Sequence, residues 1–147
     1  MHEYTVELRI CGKELDPAAV TADFNLQPTQ VRRVGEEKGK AKRWEEAMWS
    51  YDGFKQEEKE KSWDSLDEAL VFIVRKFWPL RDKLEEYKQR HKVILWCGHF
   101  QSSFDGGPTL SPATLKMLGE FGAELFIDNY FPDPGSLIFK STYPANR

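Results

Sequence analysis

The stretch from Ser65 to Arg90 constrains this chain more than any other. Its large side chains fall at Trp63, Leu66, Leu70, Ile73, Phe77, Leu80, Leu84 and Tyr87. The steps alternate between three and four residues, which places them on one stripe of an α-helix. Ser65 and Glu68 form a capping box at its start, each side chain satisfying the other's backbone N–H. A helix over 65–90 runs about 39 Å at roughly 1.5 Å per residue, enough to cross a small domain. Pro79 lies inside it and removes a backbone donor, at a cost of roughly 3 kcal/mol in a straight helix. The spacing therefore predicts a kink near Arg75–Pro79, or two helices meeting there. A coiled coil is the rival reading of such a stripe. The run is short for one, and strand-like segments flank it, so a core helix lying on a sheet is preferred.

Those flanking segments have a grammar of their own. Tyr4, Val6, Leu8 and Ile10 alternate with Thr5, Glu7 and Arg9, the pattern of a strand with one wet face. Cys11-Gly12 ends it. Asp16 then caps a helix with Pro17 at its first position and Leu15 and Val20 as a hydrophobic staple. After a turn at Gln27-Pro28-Thr29 comes a short strand, Thr29 to Val34, with Val31 inward. Gly35 to Glu46 has no period and almost no apolar content before Trp44, and reads as a mobile hairpin loop. Ala47 to Tyr51 is the next strand, and Asp52 to Lys61 a charged linker into the long helix.

The second half repeats this order. Val93 to Trp96 is a strand that Cys97-Gly98 ends. A loop follows from Gln101 to Thr109. Leu110-Ser111-Pro112 then opens a helix with the same cap, the same proline and the same staple, and Gly122 stops it. Glu124 to Tyr130 is a strand, 131–135 a turn and 136–141 a last strand. The order is thus βαββ, long helix, βαββ. The fold class expected is α+β: one domain over 1–147, made of two ferredoxin-like halves (about 4–51 and 93–141) joined by the long Pro-kinked helix. Its sheet is mostly antiparallel with the helices on one face.

Chemistry is harder to find. With 31% charged residues and a formal net charge of -3, the chain is too balanced for a dedicated nucleic-acid binder. No run approaches the ~18 apolar residues that span a bilayer. Two cysteines make no disulfide scaffold, which points to a reducing cytoplasm. Cys11 and Cys97, at equivalent strand ends, lack the spacing of a metal site or a partner base, and buried free thiols are the better reading. His91 falls in the last turn of the long helix, where a cation suits the dipole. His99, a lone histidine at a strand end, reads as structural. The carboxylate pairs, such as Glu36-Glu37 and Glu85-Glu86, sit among lysines and arginines as solvated ion pairs. Gly106-Gly107 fits no phosphate-loop pattern. Neither a cofactor nor a catalytic set is predicted.

The richest cluster is Arg32, Arg33, Lys38, Lys40, Lys42 and Arg43, with Trp44, Trp49 and Tyr51 close by in sequence. Cations beside aromatics suit an anion or a nucleotide, but four glutamates interrupt the run and disfavour nucleic acid.

One resemblance adds to this. Leu15-Asp16-Pro17, Val20-Thr21, Phe24-Asn25-Leu26-Gln27-Pro28-Thr29, then Gly35 and Trp49-Ser50 resemble the signature of the bacterial family known as domain of unknown function 4279. The likeness covers nearly the whole chain, with Phe24 replacing the usual Leu. It implies a small cytoplasmic bacterial protein and carries no agreed activity. Its motif nominates Thr29, Arg32, Trp49 and Ser50 as a ligand-binding set, the floor and edge of a shallow pocket. The bland alternative makes Thr29 and Ser50 strand cross-links and Trp49 a core filler. The function expected is a non-catalytic module that binds another protein or a second copy of itself through an edge strand such as 136–141. An immunity-type protein that neutralises a toxin fits this class. The alternative is a domain that binds or senses a small anion or nucleotide.

Overall fold

Tyr4, Val6, Leu8 and Ile10 do point into the core, but their strand lies at the centre of a sheet rather than at its wet side. In the computed structural model, which describes residues 1–131, five strands pair in the order β2-β5-β1-β6-β7. They are β1 (His2–Gly12), β2 (Gln30–Arg32), β5 (Ala47–Tyr51), β6 (Lys92–Gln101) and β7 (Glu124–Tyr130). Pairing is antiparallel except between β6 and β7, which run parallel around a helical crossover. Two further strands, β3 (Glu37–Gly39) and β4 (Lys42–Arg43), form a separate hairpin.

The helix caps form where the sequence predicts, but Glu68 does not return the bond of a capping box to Ser65, and Leu115, expected to staple the last helix to Leu110, is 55% exposed. In α1 (Pro17–Phe24), Asp16 accepts the Ala18 N–H and Pro17 takes the first turn. In α4 (Pro112–Phe121), Ser111 accepts the Thr114 N–H and Gly122 closes the helix with a φ of 73°. Ser65 accepts the Glu68 N–H at the start of α2 (Leu66–Phe77). The long rod is not continuous. α2 ends at Phe77, a 3-10 turn occupies Trp78–Leu80 around Pro79, and α3 (Arg81–Lys88) begins next. A proline cannot donate back to the preceding turn, and the tighter turn absorbs that missing bond.

One apolar cluster holds the layers together. It joins Val6, Leu8 and Ile10 of β1, Trp49 of β5, and Val93, Leu95 and Cys97 of β6 to residues from all four helices, among them Val20, Ile73, Phe77, Leu84 and Phe121. Its centre is aromatic: Phe24 meets Trp49, Phe77 and Tyr87 edge to face at 5.6 to 5.8 Å.

Several expectations change. Thr5, Glu7 and Arg9 are not wet; they are 6%, 2% and 6% exposed, because β1 is flanked on both sides and both its faces are covered. Cys97-Gly98 does not end β6, which continues to Gln101. Cys97 therefore lies opposite Val6 in mid-strand, while Cys11 lies opposite Lys92 at a strand end and on the other face of the sheet. The two halves also pair differently. In the first, β5 is inserted between the parallel strands β1 and β2; in the second, β6 and β7 are direct neighbours. The expected turn at 131–135 and the strand at 136–141 reach beyond the described residues. Gly12 is needed for close approach, since a Cβ there would lie 2.4 Å from His91 Nδ1.

Candidate functional site

The segment from Gly35 to Glu46 folds back on itself as an arm rooted on β2 and β5. Gly35, at a φ of 87°, begins it. Its N–H donates to the Trp44 carbonyl at 2.9 Å, and the Trp44 N–H donates to the Glu36 carbonyl at 3.0 Å. Glu37 then pairs with Arg43 and Gly39 with Lys42, and Gly39 and Ala41 take positive φ to make the reversal. This brings Arg32 and Lys38 onto one ring. The Arg32 guanidinium lies 3.9 Å from the Trp44 ring centroid and the Lys38 ammonium 4.7 Å from it. Beside the ring is an open depression of about 500 Å³, lined by Lys38, Lys42, Arg43, Trp44, Glu45 and Glu46. Arg43 is tied to the Gly35 carbonyl at 3.1 Å.

Arg32 also belongs to a second group, on the sheet face away from the helices. Successive strand residues point to opposite faces. Register places Arg9, Ser50, Met48 and Arg32 on one face, and Ile10, Trp49 and Val31 on the other. On the first of these, away from the described helices, Arg9 pairs with Glu7 and lies over the Trp96 ring at 4.0 Å. Burial raises the Glu7 carboxyl above its usual range, and the Arg9 charge opposes this only in part. Burial, and then the nearby Arg9 charge, lower the Arg32 pKa.

The four residues nominated from sequence are thus divided by the sheet. Trp49 is fully buried on the helix side and donates from Nε1 to Thr21 Oγ1 at 3.1 Å. Ser50 and Arg32 are buried on the opposite side. Thr29 is a cross-link: its Oγ1 donates to Asp52 Oδ1 and accepts the Asp52 N–H, both at 3.0 Å, beside a bond from its own N–H to the Ser50 carbonyl. Of the aromatics near the basic run, Trp44 joins the cations; Trp49 and Tyr51 stack on each other in the interior, 6.3 Å apart.

Strand alternation alone places Glu7 and Arg9 toward solvent; the signal for their pairing is opposite charge two residues apart on one face of a strand. His99 is not alone either. Its Nε2 lies 2.8 Å from His2 Nδ1, its Nδ1 lies 2.9 Å from Asn129 Oδ1, and Tyr4 stacks on its ring. Burial lowers its pKa. No spacing rule links histidines so far apart in sequence. Burial pushes the Cys11 thiol up to about 11 and the Cys97 thiol up to about 12, which disfavours the thiolate form. No group of three or more metal-type ligands occurs among the described residues, and no described helix is long and apolar enough to cross a membrane.

Residues 2–132 match the family model described as Domain of unknown function (DUF4279), and the chain belongs to that family. No curated protein and no solved structure matches it.

Proposed function

We propose that this chain is a non-catalytic binding module that recognises another protein, with the arm over 35–46 meeting acidic groups of that partner. The observation that carries the reading is the gathering of the exposed Lys38, Lys42 and Arg43 beside Trp44, whose ring the buried Arg32 also touches. Cations held against an indole keep less of their water and are positioned to meet carboxylates. The depression is open, and small-molecule sites usually enclose most of their ligand. An open basic surface instead suits the protruding side chains of a macromolecule. Glu45 and Glu46 also line it, so it suits single carboxylates spaced among neutral side chains better than an unbroken run of negative charge, which favours protein over nucleic acid. A toxin-neutralising role in the bacterial cytoplasm remains within this class.

Titration of the full chain with a short peptide carrying glutamates spaced among neutral residues, by calorimetry at low salt, tests the proposal. Binding that weakens with salt and disappears in Lys42→Glu/Arg43→Glu supports it. No binding, or binding that this variant leaves unchanged, overturns it. A nucleotide or inorganic phosphate bound more tightly than the peptide, with loss on Arg32→Gln, would favour the small-anion alternative.

The scaffold we read as a doubled ferredoxin-like unit. Its support is the common cap and proline of α1 and α4 and the antiparallel meeting of β1 and β6 at the sheet centre.

A further inference from the structure

A different surface points to self-association. The outward stripe of α2 carries Asp67 and Glu68 in its first turn, Val71 and Phe72 at mid-length, and Arg75 and Lys76 in its last turn. With Trp63 these residues line an open groove of about 560 Å³. Its floor is apolar. Phe72 is 40% exposed and its ring lies 5.3 Å from that of Trp63. The Trp63 Nε1 is buried without a hydrogen-bond partner. Among the described residues, Glu68, Arg75 and Lys76 enter no intrachain ion pair. Asp67 uses one carboxylate oxygen, Oδ1, to accept the Ser111 N–H at 2.8 Å.

The signs of these charges follow the helix dipole, acid at the start and base at the end. That has a geometric consequence. A stripe that is acidic at one end, apolar in the middle and basic at the other is complementary to itself when turned end for end. A two-fold axis passing between Val71 and Phe72 sets Glu68 against the partner's Arg75, Asp67 against the partner's Lys76, and Val71 against the partner's Phe72. Every contact then occurs twice, as an isologous interface requires. We propose that a second copy of this chain docks here, α2 against α2, antiparallel. The occupant is chosen by charge: an unrelated apolar segment would cover Phe72 but leave four charges around it unanswered. One helix pair buries less than the ~1,200 Å² at the lower end of standard interfaces, so the dimer is weak and concentration-dependent. This inference uses no residue of the arm, and it stands or falls separately from the proposed function.

Sedimentation velocity on the full chain, from low to high micromolar concentration, tests it. The sedimentation coefficient should rise with concentration at low salt and rise less at high salt. Arg75→Glu places like charges together at two symmetric positions and should raise the dimer Kd by roughly tenfold or more. Glu68→Arg/Arg75→Glu exchanges the signs and should restore the dimer. Circular dichroism and a thermal melt of each variant separate a lost interface from a lost fold. The idea is overturned by a monomer at the highest concentration, by Arg75→Glu associating like the parent, or by folded Glu68→Arg/Arg75→Glu failing to recover.

Discussion

Replacing Arg9 by methionine should be the most informative perturbation of this fold. Glu7 is 2% exposed and its partner is Arg9 on the same strand face. Methionine keeps the length of the arginine stem and a favourable sulfur contact with Trp96, so the variant removes mainly the charge. Breaking a buried pair from one side typically costs about 3–5 kcal/mol, because the other charge stays desolvated. Arg32 remains nearby and favours the Glu7 anion, while Asp52 opposes it. Asp52 is the stronger of the two, so neither neighbour replaces Arg9 and the loss should fall within that range of about 3–5 kcal/mol. It should also depend on pH. Burial makes Glu7 hold its proton more tightly folded than unfolded, so stability falls as pH rises from the ordinary carboxylate range through the raised value. Without Arg9 the rise is larger, and the variant should lose more at about pH 8 than at about pH 5. Glu7→Leu/Arg9→Met removes both charges and should be more stable than Arg9→Met alone, since an apolar pair of similar volume often replaces a buried ion pair at little cost. Urea unfolding followed by tryptophan fluorescence reads all of this. If Arg9→Met loses under about 1 kcal/mol at about pH 8 with an unchanged m-value, or if the double variant is the less stable, the desolvation argument is wrong.

Three further outcomes are expected. Trp49→Ala should cost about 3–5 kcal/mol in the same assay by emptying the centre of the aromatic cluster, whereas Thr21→Val, which removes the acceptor of its indole N–H, should cost about 1 kcal/mol. Ser65→Ala and Ser111→Ala should each cost about 1 kcal/mol by uncapping α2 and α4, measured by chemical denaturation. For His99, burial lowers the folded pKa, so the unfolded chain binds the proton first. Stability should fall as pH drops from about 6.5 toward the lowered value, and His99→Gln should flatten that slope in melts taken across the range.

How much of this was legible beforehand depends on the range of each interaction. The arm over 35–46 reads as a hairpin, and its cations group with Trp44, because all of them lie within about a dozen positions. Trp49, near the same run in sequence, points through the sheet to the other side. Its neighbour Ser50 could not have been assigned a face without the register. The nominated set failed to gather in one place because a strand separates successive side chains, a fact that contiguity in sequence conceals.

Local events follow from residues close in the chain: the Asp16, Ser65 and Ser111 caps, the break around Pro79, the stripe of α2, and the inward set Val6, Leu8 and Ile10. These rest on interactions between residues at most a few positions apart, or on a period of one element. The tertiary structure alone decided that β1 is central, that Glu7 and Arg9 are therefore buried, that Cys97 falls in mid-strand, and that His2 meets His99. Those outcomes follow from which strands pair across long stretches of chain. Alternation marks a strand's two faces, but what comes to cover each face is settled only when its distant neighbours arrive.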